Sequence, residues 1–292
     1  IGAVSNRGVD ILVTARPVQN SDFQWTSTIN LGFNRSRVEK LDESASVDPI
    51  TGKRQITTDG FVGYDMLIRE GEPLSSFYGY KRIGIYDGNP DNWDPETMNI
   101  PSVIGEKVTS KDRTIIGHGL PDWMGSFVNT FNYKNFDLTV DFQYTWGVDV
   151  MQEYYHSTVA RFLTNGLDRI YTDAWHPTLN PNGQEQAIRL NNFGQGANNA
   201  ADDDWVVNGS YLRCNMIQLG YTFDPNVIKP LGLSSLRLYA NVNNAFLITS
   251  SDYLGFDPDN SSRLDGNNWG ANRQFFTYPR PRTFMFGINV AF

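Results

Sequence analysis

From position 284 to the last residue, every even-numbered side chain is apolar or aromatic: Phe284, Phe286, Ile288, Val290 and Phe292. The other face carries Thr283, Gly287, Asn289 and Ala291. Successive side chains of a strand point to opposite faces, so this segment makes a greasy stripe on one face and a small, polar surface on the other. A soluble core would put the polar face in water and cover the greasy one with other elements. A chain that stops on a phenylalanine after such a strand is patterned like the closing strand of a transmembrane β-barrel.

The pattern recurs. Phe23, Trp25, Ile29, Leu31 and Phe33 alternate with Gln24, Thr26, Thr28, Asn30 and Gly32. Phe136, Leu138, Val140, Phe142, Tyr144 and Trp146 alternate with Asp137, Thr139, Asp141, Gln143 and Thr145. The even positions of this last strand are expected to face lipid and the odd ones the lumen. Each stripe is about eleven residues long, and a strand tilted about 45° needs roughly ten to cross an apolar band about 25 Å tall, where a soluble sandwich manages with about five or six.

Composition has to be read with that pattern in mind. The mean hydropathy of −0.41 and the lack of any apolar run near 18 residues argue against a membrane helix, but a barrel hides its lipid face in every second residue. Aromatic residues make up 13% of the chain, and many sit at the ends of stripes, where headgroup girdles lie. The net charge of −8 argues against a nucleic-acid partner. The single cysteine, Cys214, cannot form an internal disulfide and reads as packing within a strand.

Strands are expected near 7–18, 22–38, 61–70, 74–86, 123–134, 136–148, 206–224, 235–248 and 278–292, about nine in all. Their connections alternate in length. Short ones fall at Gln19–Ser21, Gly71–Pro73, Lys134–Asn135 and Asp224–Ser234; long ones at 39–60, 87–122, 149–205 and 249–277. Counted back from Phe292, every long loop lies on one side, as in a barrel with short periplasmic turns and long extracellular loops. The segment from Val148 to Asn165 has helical spacing and is expected to form a short surface helix. The chain begins at Ile1 with no leader-like segment and reads as a mature or internal fragment, one unit over 1–292.

Residues that would carry chemistry are sparse, and an enzyme is not expected. His118, His156 and His176 lack metal-ligand spacing, and Ser210 lies in Gly-Ser-Tyr, outside any nucleophile elbow. Asp87, Asn89 and Asp91 have the opening spacing of a calcium loop, but Asn92 and Met98 stand where its glycine and closing glutamate belong. Calcium is the weak candidate there, and no other cofactor is implied. Asp202, Asp203 and Asp204 read as surface charge. The loop aromatics Trp93, Tyr154, Tyr155, Trp175 and Trp269 are the candidates for contact with a ligand or partner, since flat rings stack on sugars and cover peptides.

Several strings, in order, resemble the SusC/RagA family of TonB-dependent outer-membrane transporters: Gly71-Glu-Pro-Leu-Ser-Ser-Phe-Tyr-Gly-Tyr80; Ile116-Gly117 with Leu120-Pro121; Phe131-Asn-Tyr-Lys-Asn-Phe-Asp-Leu138; Gly209-Ser-Tyr-Leu-Arg213 leading to Leu219-Gly-Tyr221; Asn243-Asn-Ala-Phe246 with Tyr253-Leu-Gly-Phe-Asp-Pro258; and Tyr278-Pro279. The resemblance implies a barrel of about 22 strands with a plug in its lumen, of which this chain is the C-terminal part. The N-terminal plug and earlier strands are then needed to cover its sheet edges, because unpaired backbone in lipid costs several kcal/mol per group.

It further implies a Gram-negative outer membrane, long loops outside, and a periplasmic C-terminus at which Phe292 acts as an assembly signal. A SusD-like surface lipoprotein would lid the barrel, oligosaccharide or oligopeptide would be the cargo, and TonB would drive import through the missing N-terminal region. The alternatives are a siderophore or cobalamin receptor of the same class, a passive porin, or a soluble β-rich glycan-binding protein or hydrolase.

Overall fold

The computed structural model describes residues 2–59, 65–155, 167–185, 201–259 and 271–292. Its main body is one antiparallel meander of seven strands: β1 (Ala3–Gln19), β2 (Phe23–Lys40), β3 (Trp123–Tyr133), β4 (Phe136–Trp146), β5 (Tyr211–Thr222), β6 (Ser235–Thr249) and β7 (Thr283–Ala291). They lie side by side in chain order.

Direct cross-strand partners share a face, so the register sorts the side chains. One row runs Val13, Ile29, Phe127, Phe142, Cys214, Phe246, and a second runs Leu138, Leu219, Ala240, Phe286 with Phe131 beside Leu138. The opposite face carries Thr28, Thr26, Thr130, Thr139, Gln218 and Asn241. Aromatic rings bound the apolar face at both ends. Phe23, Tyr133, Phe136 and Tyr221 align at the short-turn end, and Phe33, Trp123 and Trp146 at the other. Ring centroids of Phe33 and Trp123 are 4.7 Å apart, as are those of Phe136 and Tyr221. Between the two rows β4 climbs about 24 Å at a 45° tilt, which matches the apolar band of a membrane. The sheet is a segment of transmembrane barrel wall.

Keeping the stripe continuous requires two irregularities. On β1 the stripe occupies odd positions up to Ala15 and then Val18, the shift falling at a bulge between them. On β5, Leu212 and Cys214 share the face of Ile217 and Leu219 because Asn215 bulges out of register. A bulge of one residue swaps the two faces of a strand. Cys214 is buried although it lies on the lipid side, because Phe142 and Phe246 on the flanking strands meet over it with centroids 6.1 Å apart.

Two of the nine expected strands do not cross. Asp65–Arg69 and Ser76–Gly79 belong to a separate five-stranded sheet, and Arg82–Ile85 to a three-stranded one. The turn between the first two lies at the loop end of β2, where Gly71 N–H donates to the Val38 carbonyl (2.7 Å) and Val38 N–H to that of Glu72 (3.0 Å). The reason is in the sequence: Met66, Leu67 and Ile68 are apolar in succession and all buried, the pattern of a strand covered on both faces, and too short for the membrane. The loops expected at 39–60 and 87–122 are therefore parts of one connection, 41–122.

The other differences are local. The expected strand at 206–224 divides into Val206–Asn208 and β5. The last strand begins at Thr283, since Pro279 and Pro281 cannot donate to a ladder. In place of the first turn of the expected helix at Val148–Asn165, Asp149–Gln152 pairs with Val206–Asn208 and Arg273–Gln274; 156–165 lie outside the described residues.

Candidate functional site

The polar face of the sheet is built for close packing in a lumen. Arg237 on β6 reaches across β5 to Asp137 on β4 with two parallel hydrogen bonds, Nε to Oδ1 at 3.1 Å and Nη2 to Oδ2 at 2.6 Å. It passes over Gly220, where a Cβ would collide with both side chains. The Tyr239 ring likewise lies across Gly287, inside the space a Cβ would take. Gly287→Ala is therefore expected to displace Tyr239 and destabilise the β6–β7 pair by about 1–3 kcal/mol, read from urea unfolding in lipid. Tyr239→Ala in the same background should remove most of that cost.

Above the loop end of the sheet, the connections 41–122, 147–210 and 250–282 fold together. The first two share a core of Met66, Phe77, Met151, Tyr155, Ala201 and Trp205, and Tyr253 of the third packs with Val150 and Val207. Buried ion pairs join one connection to another, Lys107–Asp202 at 2.6 Å and Arg273–Glu153 at 2.6 Å, and Arg82 binds the more exposed Asp204. Arg213, at the top of β5, is paired with Asp257 at 2.5 Å and Asn244 at 2.8 Å, tying the last connection to the wall. Asp202 is 1% exposed and Asp203 accepts from Arg82 N–H. The expectation that Asp202–Asp204 are surface charge is thus corrected: three adjacent carboxylates serve three different donors where the loops meet, which spacing along one loop could not reveal. Burial pushes the Tyr253 hydroxyl up to about 12, and it donates to Gln274 at 2.7 Å.

The candidate ligand residues do not form one cluster. Tyr155 is 2% exposed, stacked on Tyr154 (5.4 Å) and packed against Trp205 (6.0 Å). It is a core residue of the lobe. Trp93 folds back on its own loop, its indole N–H donating to Asp87 Oδ1 at 2.9 Å and its ring packing on Tyr86 and Gly84. Trp175 is half-buried in a turn held by Glu185 and Asp173. Trp269 and His156 lie outside the described residues.

The calcium-like spacing has another use. Asp87 accepts from Asn89 N–H, Asn92 Nδ2 and Trp93 Nε1, and Asn89 caps the short helix by accepting from Asp91 N–H. The Trp93 indole and the other donors hold the Asp87 carboxyl below its usual range. Its oxygens point at these donors rather than into a shared cavity. Among the described residues no three His, Cys, Asp or Glu side chains are grouped to hold a metal. His118 Nδ1 meets the Ser76 hydroxyl at 3.2 Å, and His176 Nδ1 closes a turn by accepting from Leu179 N–H at 3.0 Å. Phe292 follows β7 and is 93% exposed, its carbonyl accepting from the Ser234 hydroxyl at 3.3 Å.

No family model matches the chain. Individual relatives do. The TonB-dependent receptor P3 of Formosa agariphila is 29% identical over the entire chain, and the TonB-dependent receptor SusC of Bacteroides thetaiotaomicron is 27% identical, again over all of it. Along its whole length the chain is similar to TonB-dependent receptors, SusC among them. A solved RagAB peptide transporter superposes on all of this SusC-like chain with a TM-score of 0.72 at 22% identity, a likeness of fold. The SusC-like chain spans less than a third of each: 29% of P3, 27% of SusC and 30% of the RagAB chain.

Proposed function

We propose that the protein to which this chain belongs is an active importer of the outer membrane, driven through TonB and lidded by a SusD-like surface lipoprotein, with oligosaccharide or oligopeptide as cargo. The observation that carries this reading is the division of labour along the chain: a wall apolar outside and polar inside, whose long connections all leave one end and fold into a single lobe there. A passive wall needs only short turns, and loops of this length on a rigid scaffold are where binding resides. The relatives' names, TonB-dependent receptor and peptide transporter, agree with it.

In this reading the polar face lines the path and the plug, in the remainder of the protein, closes it. Cargo is held from outside by the lobe and the lipoprotein, and no covalent bond is made or broken. The expected result is that uptake of the cognate nutrient by cells carrying the full protein stops when TonB is deleted, and that the lipoprotein co-purifies with it. TonB-independent uptake would instead describe a porin.

Among the loop aromatics, Trp175 and Trp269 are the proposed contacts, with Trp93 in support. Buried rings dominate interface energies at about 2 kcal/mol or more each, roughly thirtyfold in affinity. Replacing all three by alanine is expected to lower uptake or recovered lipoprotein by at least about tenfold at unchanged barrel content. Unchanged uptake and recovery would place the contacts elsewhere in the lobe.

A further inference from the structure

β1 and β2 stay paired beyond the top of β3. The β2–β3 ladder ends at Phe33 and Trp123, whereas the β1–β2 ladder continues to Ala3 and Lys40. On this extension the face that carries the apolar stripe changes character: Val9 and Phe33 are followed by Arg7 opposite Arg35, and then Ser5 opposite Arg37. All three arginines are exposed. They stand about 5–10 Å above the aromatic row, given about 3.4 Å per residue and a tilt near 45°.

Directly opposed like charges destabilise a strand pair, and little nearby offsets these. Arg35 lies 3.6 Å from Asp122, both ends of the pair being open to solvent, and rests over the Phe33 ring at 5.8 Å. Among the described residues, the Arg7 and Arg37 side chains have no hydrogen-bond or ion-pair partner. Beside them is an open cleft of about 950 Å³ between the extension and the top of β4, with Asp122, Trp146 and His118 among its lining residues. Two further acids line it without pairing to an arginine among the described residues: Glu39 accepts the Ser5 hydroxyl at 2.6 Å, and the half-buried Asp149 accepts His118 N–H at 2.9 Å.

We propose that this cleft seats the phosphorylated headgroup of a lipid of the surrounding leaflet. Arg7, Arg35 and Arg37 hold the phosphate, and the acyl chains run down the stripe past Phe33, Trp123 and Leu31. Guanidinium groups match phosphate oxygens in pairs, and the site is at the depth where such headgroups lie. The inference rests on the barrel-wall reading and not on what the protein imports, so uptake is measured alongside.

The test compares the full protein with a triple variant, Arg7→Gln, Arg35→Gln and Arg37→Gln, each in nanodiscs doped with a phosphorylated glycolipid or its dephosphorylated form. Retained lipid is read by native mass spectrometry after detergent exchange. Three cations at a membrane surface, each worth about fivefold, predict on the order of a hundredfold loss of the phosphorylated lipid. Heat-modifiable folding and uptake should be unchanged. Inorganic phosphate at millimolar concentration should not displace the lipid, because the chains are also held. Equal retention by the variant, equal retention of the dephosphorylated lipid, or displacement by free phosphate would overturn the proposal. So would loss of lipoprotein pull-down in the variant with lipid retention intact, which would assign the cleft to that partner.

Discussion

Val140→Arg is expected to destabilise insertion of the barrel by about 2–4 kcal/mol, and Thr139→Arg, one residue away, by far less. Val140 lies near the middle of β4, its register partners being Asn129 on β3 and Ile217 on β5. Asn129 is already engaged, accepting the Trp25 indole N–H at 3.0 Å. A guanidinium there has hydrocarbon on every open side. At Thr139 it would enter the polar face beside Thr130 and Gln218, where water and acceptors are available. Folding titrations of both variants into lipid vesicles separate the two cases, and equal costs would mean that the faces are wrongly assigned.

The second large effect is expected at Arg213 and Asp257, each 2% exposed. Removing one partner of a buried pair leaves an uncompensated charge, at a cost of about 3–5 kcal/mol. The two deletions should differ. Arg213→Ala leaves Asp257 within 3.7 Å of Arg280, whereas Asp257→Ala leaves Arg213 with no carboxylate, held by the Asn244 side-chain oxygen and the Tyr211 ring. Asp257→Ala should therefore be the worse, and should release the 250–282 connection to protease before the wall unfolds. The double change Arg213→Met with Asp257→Leu should recover much of the loss. If both single variants kept full stability and protease resistance, the clamp would have no structural role.

The wall was legible in the sequence because period-two patterning is local: β3 and β6 can be read within one residue of their ends and β4 within two. What sequence reading missed depends on contacts far along the chain. The run Met66–Ile68 is apolar enough for a strand, but only its neighbours in the lobe decide that it packs between sheets instead of crossing lipid. The bulge at Asn215 is silent in composition and visible only as a change of phase between Cys214 and Ile217. Asp202–Asp204 read as surface because their partners Lys107 and Arg82 are about a hundred residues away. Tyr155 read as a ligand contact for the same reason, its neighbours Met66 and Phe77 coming from a different loop. The available signal was that Tyr154 and Tyr155 follow the apolar pair Val150 and Met151, both buried, by four residues.

The most direct test is the accessibility of single sites along β4 in the full protein reconstituted in lipid. Spin labels would be placed one at a time at cysteines introduced at 137 through 143, with Cys214 replaced by serine. Collision with oxygen, which concentrates in hydrocarbon, should be high at 138, 140 and 142, and collision with a water-soluble nickel complex high at 137, 139, 141 and 143. A flat profile, or one with the opposite phase, would contradict a transmembrane wall with its even side in lipid.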